Sequence, residues 1–154
     1  RLTHERTDVR LILVGRFEDK LDPLMDITYK LINTNPMIEF VGYQFDIRSF
    51  LVAADVFVLP SYREGFPNVV IEAGAMGLPQ IVTDINGARE IIIEGENGTV
   101  IPPKSVDALY DAMKHMFDTN YRNGLANNAR KLIASRYEQG FVHKCLCDFY
   151  DKIL

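Results

Sequence analysis

Two apolar periods alternate along this chain. Short, nearly unbroken apolar runs exchange places with longer segments whose apolar residues recur every three or four positions. Val9 to Val14 (VRLILV) is such a run, as a strand covered on both faces requires. Ile38 to Val41, Val56 to Leu59, Ile81 to Thr83 and the short extended piece Thr99 to Ile101 read as further strands. Between them lie the helical stripes. Asp22-Pro23 supplies a cap and a first-turn proline for a helix through Ile32, with Leu24, Ile27 and Leu31 on one face, stopped by Asn33 to Pro36. Asp46 caps a helix carrying Ile47, Phe50, Leu51 and Ala54. Asn68 caps another to Met76, ended by Gly77-Leu78-Pro79, and a brief helix covers Ala88 to Ile92. Ser105 caps a helix with Val106, Leu109, Met113 and Phe117; Thr119 caps the next, through Ser135; the last runs from Glu138 with Phe141, Cys145, Phe149 and Ile153.

Strands alternating with helices imply right-handed crossovers and a parallel sheet with helices on both faces, an α/β Rossmann-like arrangement. Such sheets take ligands at the carboxyl ends of their strands, which directs attention to the loops after Val14, Val41, Leu59 and Thr83. A chain of 154 residues suffices for one domain. With 17 basic against 21 acidic residues the net charge is −4, which offers no basic field to nucleic acid. Cys145 and Cys147, two apart on a helix, point to different faces; they read as buried inert thiols in a reducing compartment. No apolar run approaches the ~20 residues of a membrane span. The expectation is a soluble, cytoplasmic protein.

The usual dinucleotide and phosphate-loop fingerprints are missing, as is any Asp-x-Asp pair. His4, His115 and His143 lack metal-ligand spacing and read as surface or packing residues. Asn97-Gly98-Thr99 matches a glycosylation sequon by accident. One stretch departs from sheet-and-helix filler: Pro60-Ser61-Tyr62-Arg63-Glu64-Gly65-Phe66-Pro67-Asn68-Val69-Val70-Ile71-Glu72-Ala73. It leaves a buried strand and enters a helix, whose first-turn amides at Val69, Val70 and Ile71 would favour an anion such as a diphosphate. Ala73, Gly74, Ala75 and Gly77 keep that helix narrow for close backbone approach. Read as local structure alone, Glu72 would complement the helix dipole and Glu64 would be a loop carboxylate.

Glu64-Gly65-Phe66 with Glu72 eight positions on forms E-x7-E, and the surrounding words are "VFVLPSYREGFPNVVIEAGAMGLPQIVTDINGAREII" and "GENGTVIPP". Together they resemble retaining GT-B glycosyltransferases of family 4, in the C-terminal, nucleotide-sugar-binding domain, from about Val9 onward. "VGRFEDKLDP" and "FVGYQFDIRSFL" further resemble bacterial enzymes of capsular and exopolysaccharide assembly. The resemblance implies roles position by position. Glu64 would face the transferred sugar as the catalytic carboxylate, orienting it and stabilising charge. Gly65, Phe66, Pro67 and Asn68 would hold sugar hydroxyls and lead to the phosphates, with Val69 and Val70 presenting amides to the diphosphate. Glu72 would accept hydrogen bonds from the ribose hydroxyls. Gly42, Tyr43 and Gln44, leading to Phe45, would form the base-binding edge. Asn86 and Gly87 would make a second close-approach loop, followed by a recurrent glutamate at Glu90.

The basic pair that the family sets against the diphosphate is not matched: Gly15-Arg16 and Lys20 imitate it, but Arg16 lies just 48 residues before Glu64. The resemblance therefore implies a fragment, residues 1–154 being the donor-binding domain of a longer two-domain enzyme, with its first strand, its basic loop and the acceptor domain upstream. The expected whole is a hexosyl- or glycosyltransferase acting on a glycan or lipid-linked acceptor in surface polysaccharide biosynthesis, needing no metal and no cofactor beyond its nucleotide-sugar donor. Peripheral contact with the inner membrane face is an option for that whole. The fragment alone should bind a nucleoside diphosphate weakly, transfer no sugar and self-associate. The alternatives are a nucleotide-sugar 2-epimerase-like GT-B enzyme and a non-catalytic sugar-nucleotide-binding module.

Overall fold

The structure is a computed structural model and describes residues 1–20 and 23–153. The chain divides into two compact units, Arg1–Phe50 and Leu51–Leu154. In the first, helix α1 (Leu2–Glu5) precedes strand β1 (Leu11–Val14), helix α2 (Asp26–Thr34) and strand β2 (Ile38–Gly42). Helix α3 (Arg48–Ala53) carries the chain across the boundary. The second unit holds β3 (Phe57–Leu59), α4 (Asn68–Ala75), β4 (Gln80–Thr83), α5 (Ala88–Ile91), β5 (Gly98–Ile101), α6 (Val106–His115), α7 (Thr119–Tyr137) and α8 (Gln139–Ile153).

Pairing is parallel throughout, as the alternation demands. It forms two ladders rather than one: β1 with β2 in the first unit, and β3-β4-β5 in the second. In the second unit β4 is the central strand and every residue of it is buried. Helix residues Val70, Ala88, Ile91 and Ile133 meet Val82 on one side of that sheet. Met116 and Leu125 meet Ile81 and Ile101 on the other. Both faces are thus covered. Gly74 is what lets α4 and α7 come together: a β-carbon there would stand 2.5 Å from Cγ1 of Ile133. The helix ends as expected, with Gly77 at φ +85 and the amides of Gly77 and Leu78 donating to the carbonyls of Gly74 and Ala73.

Several local expectations are corrected. Asp22 lies outside the described residues, and α2 starts at Asp26 rather than at Pro23. Leu24, Ile27 and Leu31 are 41%, 72% and 53% exposed, and Ile32 is the residue that α2 buries. Leu11 and Val14 are also exposed, so β1 is not the doubly covered strand its sequence implied. An aromatic group, Phe17 stacked on Phe40 and edge-on to Tyr29, does part of the packing in this unit. Asn68 is the first residue of α4 and not its cap; Pro67 holds the cap position with no side-chain bond to give. Asp118, not Thr119, caps α7, its carboxylate accepting from the amides of Asn120 and Tyr121. A carboxylate one residue earlier outcompetes the hydroxyl for those donors. Cys145 and Cys147 are exposed, because α8 buries no residue at all among those described. Ser105 caps α6 as expected. No helix of the described residues is long and apolar enough to cross a membrane.

Candidate functional site

In the second unit the loops leaving β3 and β4 are built against each other. Thr83, the last residue of β4, donates its hydroxyl hydrogen to the carbonyl of Ser61, which pins the β3 loop to the neighbouring strand. The hydroxyl of Ser61 in turn donates to Oε1 of Glu64 at 2.7 Å, so the half-buried carboxylate is held from within its own loop. Beyond it, Gly65 meets Gly87. A β-carbon at Gly87 would lie 2.2 Å from the carbonyl oxygen of Gly65, and Gly87 itself has φ 82 and ψ −56. That conformation is close to the classic γ-turn, which residues with side chains rarely adopt. Glycine is therefore required at 87 twice over, by contact and by backbone.

The rest of the two loops is fixed by polar side chains. Arg89 donates to Oδ1 of Asp84 at 3.1 Å and to Oδ1 of Asn86 at 2.8 Å, spanning the β4 loop. The carboxylate of Glu90 reaches back toward the Gly87 amide at 3.4 Å. From α7, Arg136 donates to the carbonyls of Glu90 and Ile91, and the Tyr137 hydroxyl also donates to Glu90. The ring of Tyr137 also meets Phe66 edge-on, with centroids 5.8 Å apart. Phe66 and α5 are thereby tied to the same residue, Tyr137.

The E-x7-E pair takes up two different settings. Glu64 sits in the loop, half-buried and bonded to Ser61; Glu72 is exposed in the second turn of α4, on the same side as exposed Asn68, four residues earlier. Among the described residues neither carboxylate is in an ion pair. Pro67 is buried at the start of α4 and Val69 half-buried. One expectation fails here. Val70 is buried and its amide donates to the Pro67 carbonyl at 3.0 Å, so it is used inside the turn instead of being offered to a ligand. A proline at the cap position leaves its carbonyl as the nearest acceptor, and a tight first turn takes it.

The expected base-binding edge lies in the first unit. Gly42 closes β2 at φ 68, and its carbonyl accepts from the Gly15 amide at 2.9 Å. Gln44 donates to the Val41 carbonyl at 2.8 Å. Tyr43 carries the Arg16 guanidinium 4.3 Å above its ring, and Phe45 is 98% exposed. Arg16, one half of the imitated basic pair, is thus engaged with an aromatic face.

Sequence reasoning passed over Ser61, Arg136 and Tyr137. The three-residue spacing from Ser61 to Glu64 was a usable local signal. Arg136 and Tyr137 act across more than 40 residues and left none. Elsewhere, His115 stacks on Tyr121 with centroids 3.9 Å apart, and Asn97 is buried, accepting from the Ile93 amide. Among the described residues no three His, Cys, Asp or Glu side chains gather as metal ligands do.

Comparison with known proteins places this arrangement. A family model described as "Glycosyl transferases group 1" matches residues 1–119. The capsular polysaccharide biosynthesis glycosyltransferase CapM of Staphylococcus aureus is 28% identical over 148 residues, 96% of this chain and 39% of the relative. An Escherichia coli enzyme named UDP-Gal:alpha-D-GlcNAc-diphosphoundecaprenol alpha-1,3-galactosyltransferase is 33% identical over 106 residues, 69% of this chain and 27% of its own length. The chain thus spans well under half the length of these relatives. Among solved structures, Anabaena HepE in complex with UDP superposes with a TM-score of 0.87 at 22% identity, over 98% of this chain and 43% of that one. The neighbours in fold are GT-B glycosyltransferases, and the expected Rossmann-like α/β half is borne out.

Proposed function

The chain belongs to the group 1 glycosyltransferases, and from that premise we propose that it is the donor-binding domain of an enzyme that transfers a sugar from a nucleoside diphosphate, with retention of configuration, to a glycan or lipid-linked acceptor in surface polysaccharide assembly. The observation that carries this reading is the paired-loop platform: Glu64 held by Ser61, and Gly65 seated on Gly87, at the carboxyl ends of adjacent parallel strands. Two glycine backbones in contact leave no side chain at their meeting point, so a polar ligand can approach main-chain groups directly. Relatives named for capsular polysaccharide and lipid-diphosphate chemistry support the acceptor class.

In this reading the difficult part of the reaction is charge separation. The sugar becomes oxocarbenium-like while the departing diphosphate gains negative charge. Preoriented dipoles, including the start of α4, offset that charge without a metal. Glu64 orients the sugar and offsets its positive charge, and Glu72 holds the ribose hydroxyls. Gly65 through Val69 and the Asn86-Gly87 loop, all in the second unit, line the sugar and phosphates.

The two glutamates are separable by experiment. Glu72 contacts exist before and during transfer and so give uniform binding. Glu72→Gln should weaken binding of free UDP by roughly 1–3 kcal/mol, the worth of a hydrogen bond to a charged group. Glu64→Gln should leave free UDP binding nearly unchanged and lower the transfer rate of the full-length enzyme. Calorimetric titration of UDP into both variants reads the difference. Equal losses, or a larger loss at Glu64, would overturn the assignment.

A further inference from the structure

The turn after β5 breaks a rule of backbone chemistry. Lys104 follows Pro103 at the second central position of the turn 102–105 and has φ 60, the sole positive φ outside glycine among the described residues. A proline at the first central position cannot adopt positive φ, so the turn is of the type II class, in which the second position favours glycine or asparagine. A lysine there gives up conformational stability that glycine would keep. Its side chain shows where it is used. The Lys104 ammonium lies 5.6 Å from the centroid of Tyr62, which is 64% exposed and stands two residues before Glu64. Among the described residues the ammonium has no ion pair or hydrogen bond. An aromatic face braces a cation without neutralising it, which leaves the charge available to an anion.

Resting on the donor-domain reading above, we propose that Lys104, braced by Tyr62, is an anion-positioning residue that takes a phosphate of a diphosphate-bearing substrate at the rim of the β3 loop. Two of the neighbouring cations are committed elsewhere, and Arg63, in the β3 loop itself, is exposed like Lys104. Arg89 is engaged with Asp84 and Asn86, and Arg136 with backbone carbonyls, while Lys104 is exposed at the carboxyl end of β5. A diphosphate reaches such a site either from the nucleotide donor or from a lipid-linked acceptor.

The experiment uses three probes, UDP, UMP and geranyl diphosphate, titrated into the protein and into Lys104→Gly, Lys104→Arg, Tyr62→Phe and Tyr62→Leu. Lys104→Gly should bind a diphosphate about tenfold more weakly, as loss of a charge-assisted contact implies, while its melting temperature holds or rises because the turn is relaxed. Lys104→Arg and Tyr62→Phe should keep most of the affinity, and Tyr62→Leu should lose part of it. A loss toward UDP with UMP unchanged assigns the phosphate to the donor; a loss toward geranyl diphosphate assigns it to the acceptor. Unaltered affinity of Lys104→Gly for both diphosphates, or a wild-type protein that binds neither, overturns the proposal. The Glu72→Gln titration reports on the donor-site assignment separately, since it reads the ribose contact and not the phosphate.

Discussion

Two strands have surroundings opposite to their composition, the wholly apolar LILV being the more exposed and QIVT the fully buried. Gln80–Thr83 in the second unit is buried along its whole length, whereas Leu11–Val14 in the first has both ends exposed. The difference extends to the glycines. Gly87 and Gly42 both have positive φ, yet a β-carbon at 87 would collide with the Gly65 backbone and one at 42 would meet nothing within 4 Å. The contrast shows that an apolar run sets the tendency to form a strand, while the neighbours an element receives set how much each residue matters. In the second unit the β3 and β4 loops inherit their precision from a sheet packed on both faces. The first unit presents its loops from a thinner framework.

Core truncation should reveal the contrast most strongly. Ile81→Ala removes a fully buried side chain and should cost about 2–5 kcal/mol, while Leu31→Ala, at an exposed site, should cost under about 1 kcal/mol. Denaturant melts of the two variants measure this, and equal costs would erase the distinction. The glycines come next. Gly87→Ala adds overlap to backbone strain and should cost about 2–4 kcal/mol together with UDP binding; Gly42→Ala adds strain alone and should cost about 1 kcal/mol.

The smallest effect concerns acid. Asp46, in the first unit, is held down to about 2 by hydrogen bonds from the Arg48 guanidinium and then from the Arg48 amide. Its folded value lies below its unfolded one, so its contribution is complete above about pH 4 and is lost as the pH falls through about 2. The pair is exposed, so Asp46→Asn should cost little; that small cost is present at pH 7, fades as the pH falls from about 4 toward 2, and is less in high salt. A cost in that variant no smaller at about pH 2 than at pH 7 would contradict this origin.

These contrasts also mark what could be read from the chain. Strand positions such as Ile81 and Val82 were legible because three β-branched residues, Ile81 to Thr83, follow the break at Pro79. Ser105 was legible as a cap because no better acceptor stands beside it, whereas Thr119 was not, with Asp118 adjacent. The β3-to-α4 segment stood out through its spacing of Glu64 and Glu72, but what fixes it did not. The seating of Gly87 on Gly65 and the clasp of Arg136 and Tyr137 on Glu90 join residues far apart in sequence, and such contacts leave no periodic trace. The exposure of Leu24, Ile27 and both cysteines was hidden for a related reason: an apolar stripe states that a face can be covered, not that it is.

A ligand seated at the carboxyl ends of β3 and β4 would be seen by backbone amide NMR during UDP titration. The account predicts that the amides of Gly65, Phe66, Asn68, Val69, Asn86 and Gly87 shift together with one dissociation constant. Shifts confined instead to the groove between α4 and α7, at Ile71, Ala75, Arg130 and Ala134, with the Gly65 and Gly87 amides unmoved at saturation, would contradict it.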